Sequence, residues 1–172
     1  MRSWNQNAAV ALTVAVVTFG AGAALAGGKG KPTAAKAALA IPTVPVAGPD
    51  TDAKGAVDWK HFPAVGKRAE RSWLRLRLGR LDGTDYTLWM DDPSTVETDL
   101  VQVTALTATA DDADGNHLNF RLDTKQGDPM PFGATLDALV GKALEIRDAG
   151  GLAVLGGTVP AVPVKVPHGH GH

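Results

Sequence analysis

Three histidines at the C-terminal end carry the most definite chemistry in the sequence: His168, His170 and His172. Neutral imidazole is the commonest metal ligand among side chains, and short His-rich tracts bind metal on composition alone. The glycines between them allow the chain to fold several rings around one ion. We therefore expect labile binding of zinc, copper or nickel by this tail. The alternative is a tail that is simply solvated.

Arginine and tryptophan side chains form a second group with binding chemistry. Leucines alternate with arginines over residues 74–78, which is the period of a half-buried strand with Arg75 and Arg77 on its solvent side. A second alternating run follows at residues 86–90. If the two runs pair through their apolar faces, Arg75 lies opposite Trp89 and forms a cation–π pair. Such a face predicts binding of an anionic glycan or another surface polymer; the alternative is a solvated face whose charges discourage edge pairing.

Groups suited to nucleophilic catalysis are scarce. After residue 26 the chain has two serines, Ser72 and Ser94, and neither lies in a G-x-S-x-G turn. The chain has no cysteine and no clustered motif of His and Glu. We therefore expect a non-catalytic protein, and a small hydrolase ranks third after a binding module and a metal-binding protein.

Charge and cysteine usage limit the partners and the sources of stability. The 172-residue chain has a formal net charge of −1, and its residues 67–160 carry ten basic against fifteen acidic side chains, a balance that does not favour nucleic acid as a partner. Without cysteine we expect neither disulfides nor a lipid-modified N-terminus. Stability must then come from an ordinary apolar core or from bound metal.

The first 26 residues have the plan of a secretory signal peptide. Arg2 supplies a positive charge, an apolar run covers residues 8–25, and Ala24–Ala26 offers small residues for a signal peptidase. The run is about long enough to span a bilayer, so retention as an anchor is the alternative. We expect cleavage, a secreted or periplasmic protein, and no transmembrane helix after cleavage.

Composition divides the rest of the chain into three parts. Residues 27–70 are rich in Pro, Ala, Lys and Gly, and we expect a mostly disordered linker in which residues 59–62 dock onto the domain. Residues 71–160 carry the strand patterns and form the expected β domain. Residues 161–172 form an expected flexible tail that contains the histidines.

The alternating runs predict the elements of the β domain. Three hairpins are expected: residues 74–78 with 86–90, a second in which Ala108 lies opposite Phe120, and residues 144–146 with 152–154. A short strand is expected at residues 100–103 and a helical turn at residues 133–140. In the third hairpin two registers fit equally well. These elements predict an all-β fold, a small antiparallel β-sandwich or barrel of about six to seven strands flanked by disordered segments.

Four segments of this domain resemble small β modules of uncharacterised bacterial secreted proteins: Tyr86–Leu88, Ala110–Gly115, Met130–Gly133 and Val140–Gly157. The resemblance covers residues 73–160 and implies an all-β exported module, but no activity, ligand or catalytic residue. We therefore expect an exported non-catalytic β module that is structural or binds an envelope or extracellular partner, either an envelope protein or an anionic glycan. The alternative is a periplasmic or extracellular protein that binds transition metals with its histidine tail.

Overall fold

The computed structural model describes residues 31–41, 51–110 and 115–162. These residues form two antiparallel sheets of four strands each, which confirms the expected all-β fold as a sandwich rather than a closed barrel. The strands in chain order are β1 (Thr33–Leu39), β2 (Lys54–Phe62), β3 (Arg71–Leu81), β4 (Asp85–Asp91), β5 (Leu100–Thr107), β6 (Asn116–Asp123), β7 (Ala143–Asp148) and β8 (Ala153–Thr158). Sheet A has the order β1-β2-β3-β6, and sheet B has the order β5-β4-β7-β8. The expected signal peptide and the tail histidines lie outside the described residues.

Two strands lie in residues 27–70, which we expected to form a linker, so the described chain has more strands than the expected six to seven. β1 and β2 pair with each other, and β2 also pairs with β3. Within β2, Val57 and Trp59 are completely buried, and Trp59 Nε1 donates a 2.6 Å hydrogen bond to the carbonyl oxygen of Pro160. Two of the four inward residues of β1, Ala35 and Ala37, are alanines, which have low β-propensity and give a weak strand signal. The linker prediction was wrong for this reason.

The hairpin that we expected between β3 and β4 is also wrong, although both strands alternate as expected. β3 pairs with β2 and β6 in sheet A, whereas β4 pairs with β5 and β7 in sheet B. The chain changes sheets at residues 82–84, just after a β-bulge in which Arg80 has a left-handed conformation with φ 58°. The apolar faces of β3 and β4 therefore meet across the core from opposite sheets, and do not lie side by side.

The expected pairing of Ala108 with Phe120 is wrong for the same reason. β5 belongs to sheet B and β6 to sheet A, and these strands meet at an isolated bridge between Thr109 and His117. An apolar face on each of two successive strands is satisfied equally well by a hairpin or by two facing sheets. The alternation alone does not distinguish these arrangements.

Three other predicted elements are confirmed. β7 and β8 form the expected hairpin, with Ile146 opposite Leu155 and a register shift immediately after this pair. The expected short strand at residues 100–103 is the first half of β5. The expected helical turn is α1 (Leu136–Leu139), and both of its leucines are buried. Within the described ranges, no helix is long and apolar enough to cross a membrane.

The core fills the space between the two sheets. It contains the inward side chains of both, and Trp59, Leu76, Leu88 and Ile146 are at most 1 % exposed. A side chain of sheet B comes close to the backbone of β2 at Gly55, where an added Cβ would lie 2.9 Å from a methyl carbon of Leu155. It would also lie 3.0 and 3.1 Å from methyl carbons of Leu78 and Leu39 in its own sheet. Each sheet therefore has one face in the core and one face toward solvent, and the solvent faces are where binding side chains must lie.

Candidate functional site

β3 presents a row of basic and aromatic side chains on the outer face of sheet A. Its leucines at alternate positions are buried, so the residues between them point to the other side of the sheet. These outward residues are Arg71, Trp73, Arg75 and Arg77. The three arginine side chains remain 30–43 % exposed. The strand therefore exposes guanidinium groups to solvent.

The neighbouring strands of sheet A enlarge this row into a continuous surface. We call this surface the cationic face. Its charged and aromatic members are seven basic, two acidic and two aromatic side chains: Lys36, Lys54, Lys60, Arg71, Arg75, Arg77, Arg121, Asp58, Asp123, Phe62 and Trp73. The surplus is five positive charges on one side of a sandwich whose whole chain has a net charge of −1.

The outer face of sheet B has no comparable positive charge. The strand residues on that side carry three acids and one base: Asp85, Asp91, Glu145 and Arg147. Lys142, just before β7, pairs with Asp91 at 3.1 Å. Positive charge in the described sandwich is therefore concentrated on one face.

Asp58, on β2, holds two arginines of the cationic face. Arg75 donates to its carboxylate through Nε and Nη2 at 3.2 and 2.8 Å, and Arg77 Nη2 lies 3.4 Å from Oδ1. A bidentate pair of this kind fixes the plane of the guanidinium. Hydrogen bonding to Asp58 raises the pKa of Arg75 above its ordinary value. Arg75 is therefore both oriented and permanently charged.

Asp123, at the end of β6, holds two further arginines. Arg71 donates to it through Nε at 2.9 Å and Nη2 at 2.5 Å, and Arg121 donates through Nη2 at 2.7 Å. The backbone N–H of Lys125 donates a further bond at 3.1 Å. The hydrogen bond from Arg71 is the main reason that the pKa of Asp123 falls from 3.8 to about 2, while burial acts in the opposite direction. This carboxylate, 1 % exposed, thus stays ionised except in strong acid.

Cations lie over both aromatic rings of the cationic face. The guanidinium carbons of Arg75 and Arg121 are 5.3 and 5.0 Å from the centroid of Trp73. Lys60 Nζ and the guanidinium carbon of Arg71 are 4.9 and 5.6 Å from the centroid of the Phe62 ring. Each such contact contributes about 0.5–1 kcal/mol at an exposed site. The two rings therefore space and hold the basic groups around them.

The predicted binding residues are divided between the two sheets. Arg75 and Arg77 lie on the cationic face, as the alternation of β3 indicates. Trp89 lies on β4 in sheet B, where its strand neighbours are Gln102 and Glu145. The expected cation–π pair of Arg75 with Trp89 is therefore wrong, because the hairpin on which it depended is not formed.

Trp89 has a different cationic partner. The guanidinium carbon of Arg147 lies 4.2 Å from the centroid of the Trp89 ring, and Trp89 Nε1 donates to Thr87 Oγ1 at 2.9 Å. Arg147 is in turn paired with Glu145 at 2.8 Å. This arrangement is a self-contained contact on sheet B, separate from the cationic face.

Trp73 belongs to the cationic face and was not among the predicted binding residues. It shares the strand parity of Arg75 and Arg77, so the alternation already placed all three on one face. Arg121 was not predicted either, because the alternation within β3 does not show which strand pairs with it. The predicted hairpin with β4 placed Trp89 beside Arg75 instead.

One described cluster combines a hydroxyl, an imidazole and a carboxylate. His61 Nδ1 lies 3.0 Å from Ser72 Oγ and 3.9 Å from Glu70 Oε1. In a catalytic triad the nucleophile and the acid bind opposite nitrogens of the imidazole ring. Here both approach the same nitrogen, and Ser72 is a buried residue. The geometry is that of a contact between β2 and β3 and does not favour the hydrolase hypothesis.

The metal-binding prediction concerns His168, His170 and His172, which lie outside the described residues. Among residues 31–41, 51–110 and 115–162, no group of three or more His, Cys, Asp or Glu side chains could hold a metal ion. The tail histidines remain the predicted metal ligands of this chain.

No protein-family model, curated protein or solved structure matches this chain. The function must therefore be inferred from the cationic face itself.

Proposed function

We propose that this protein is an exported, non-catalytic binding module that holds an anionic partner of the cell envelope or the extracellular space on its cationic face. The observation that carries the proposal is the surplus of positive charge on sheet A, where the seven basic side chains face only two carboxylates. Export rests on the expected signal peptide, residues 1–26. Detection of a mature N-terminus near Gly27 in the secreted or periplasmic fraction tests that part.

Two features of the cationic face support an anionic partner over a purely structural role. Four arginines of this face share two carboxylates, Asp58 and Asp123, so the positive charge of the arginines is only partly balanced. Moreover, Arg75 and Arg121 are direct cross-strand neighbours, and like charges in this position destabilise a sheet. An anion that contacts both groups offsets this repulsion.

Binding of a uronic-acid polysaccharide, measured by calorimetric titration, tests the proposal. The informative variant is the double substitution Lys36→Gln with Arg77→Gln, which removes two exposed charges from the cationic face. Its matched control is Lys142→Gln with Arg147→Gln, which removes one lysine and one arginine from the side of sheet B. Because an exposed ion pair contributes up to about 1 kcal/mol, we expect the first variant to bind on the order of tenfold more weakly.

We expect the control variant to bind like the natural protein, and binding of the natural protein to weaken as salt is added. The proposal is wrong if neither the polysaccharide nor another anionic polymer binds at low salt. It is also wrong if the two double variants lose affinity equally, because binding would then depend on overall charge and not on this face.

A further inference from the structure

Three of the seven basic groups of the cationic face are arranged in a line on β3. Arg71, Arg75 and Arg77 lie on one strand, and residues two apart on a strand are separated by about 7 Å. Arg121 lies beside Arg75 on the next strand, about 4.8 Å away across the ladder. From Arg71 to Arg77 the line extends about 20 Å. A single small anion covers only a fraction of such a line.

Each buried carboxylate binds one donor edge of a guanidinium group, and the guanidinium has a second donor edge. In both Arg71 and Arg75 the Nε–Nη2 edge binds the internal carboxylate. A guanidinium has a second donor edge, formed by Nη1 and the outer hydrogen of Nη2, which matches a carboxylate or sulfate group equally well. The internal pairs thus prepare a row of oriented donors and reduce the entropy lost on binding.

The aromatic rings of this face are already in contact with cations. Proteins that bind single-stranded nucleic acid stack the bases on aromatic side chains with accessible faces. Here cations already lie over Trp73 and Phe62. The large apolar side chains that are exposed in the described chain all lie elsewhere: Ile41, Val65, Val96, Val101, Phe132 and Leu152. The face therefore presents no exposed large apolar side chain that could enter lipid, and its aromatic rings are already in contact with cations.

The face is also the surface of a single sheet and not a cleft between two elements. It is the outer side of a four-stranded sheet, whereas a described pocket is lined by residues 95–99 of the loop before β5. Small-molecule sites are concave and enclose most of their ligand. An extended chain that lies on the sheet and makes several ion pairs suits this surface better.

We infer that the ligand of the cationic face is a linear acidic polysaccharide that lies along β3 and contacts Arg71, Arg75, Arg77 and Arg121 with successive anionic groups. This inference rests on the proposed function and specifies the ligand class for the same face. It predicts that affinity depends on ligand length, because each further anionic group reaches another arginine until the row is filled.

A series of oligouronates, from the disaccharide upward, tests this inference by calorimetric titration of the full chain. We expect affinity to rise with length and then to reach a plateau. The dependence of affinity on salt should steepen over the same range, because each new ion pair releases roughly one counterion. Arg77→Gln, which removes one end of the row, should move the plateau to shorter oligomers, whereas Arg147→Gln should leave it unchanged.

The outcomes separate this inference from the proposed function. If oligouronates bind with an affinity that does not depend on length, the linear arrangement is wrong while the proposed function stands. If no anionic polymer binds, both are wrong. Tighter binding of single-stranded oligonucleotides than of oligouronates with equal charge would assign the face to nucleic acid. Tighter binding to vesicles of anionic and neutral phospholipid in equal parts would assign it to a membrane surface; either result overturns the inference.

Discussion

Arg75 lies directly opposite Arg121 in the ladder between β3 and β6, and both guanidiniums lie over the indole ring of Trp73. Two like charges in this position destabilise a sheet unless other groups balance them. Asp58 pairs with Arg75 and Asp123 pairs with Arg121, but each carboxylate is shared with a second arginine, so the balance is partial. The fold thus maintains a pair of adjacent positive charges with two buried carboxylates and one aromatic ring.

Trp73→Ala should weaken binding of an acidic polysaccharide several-fold, because the two guanidiniums lose the ring that spaces them. It should also lower the free energy of unfolding by about 1–2 kcal/mol, since two cation–π contacts are lost. Trp89→Ala is the matched control, because it removes a half-buried tryptophan with an arginine over its ring on sheet B. It should lower stability and leave binding unchanged. Urea unfolding and calorimetric titration measure the two effects, and equal losses of affinity would contradict the assignment of Trp73.

The Asp123 carboxylate should make the protein less stable in acid. Its pKa is lowered from 3.8 to about 2, mainly by the hydrogen bond from Arg71, so folding favours the ionised form. This stabilising contribution is fully present above the unfolded-state pKa and is lost as the pH falls from about 4 to about 2. It amounts to on the order of 1–2 kcal/mol.

Asp123→Asn tests this contribution by urea unfolding at several pH values. The variant should be less stable than the natural protein at pH values well above the pKa of an ordinary carboxyl. The difference in the free energy of unfolding should shrink as the pH falls from about 4 to about 2. Asp92→Asn is a useful comparison, because hydrogen bonds from Ser94 lower the pKa of a more exposed carboxyl. Solvent screens that group, so its effect should be smaller. A stability difference for Asp123→Asn that does not change with pH would be evidence against the ionic role.

Gly55→Ala should destabilise the sandwich by about 1–3 kcal/mol, because the core must make room for a methyl group. An added Cβ at this position would lie 2.9 Å from Leu155 and about as close to Leu78 and Leu39. Gly79→Ala is the control, since nothing lies within 4 Å of an added Cβ on that residue of the neighbouring strand. Thermal and urea unfolding of both variants measure the contrast. If Gly55→Ala were as stable as Gly79→Ala, the close approach of these leucines to the backbone of β2 would be wrong.

Removal of residues 168–172 should abolish binding of nickel, copper or zinc. The metal-binding prediction rests on His168, His170 and His172, and the described part of the chain has no other group of three suitable ligands. Calorimetric titration of the full chain and of the shortened chain with each metal measures the effect. Identical heats for the two proteins would show that the tail binds no metal.

The sequence was informative about side-chain direction within single strands. The alternation in β3 correctly placed Arg75 and Arg77 on the solvent side, and it already placed Trp73 with them. The hairpin of β7 with β8 and the turn at Leu136–Leu139 also followed from local pattern and turn residues. These features depend on neighbours close in the chain, which is why a single sequence predicts them.

The alanine-rich strand β1 and its partner β2 show where local pattern is too weak. The inward face of β1 contains two half-buried alanines, Ala35 and Ala37, and one buried leucine, Leu39, so its apolar pattern is weak. It becomes a strand because β2 offers it a complete ladder of backbone hydrogen bonds. Pairing with β2 thus stabilises the strand, although the residues of this segment have low β-propensity.

By itself, the sequence determined which residues face solvent on β3 and that the fold is all-β, because the two-residue period of a strand is a local property. Only the tertiary structure decided that β3 lies beside β2 and β6. That choice brought Arg121 and the two carboxylates to Arg75, and it separated Arg75 from Trp89. The physical reason is that alternation specifies a face and leaves the hydrogen-bonding neighbour open. The neighbour is selected by the packing of two apolar faces against each other across the core.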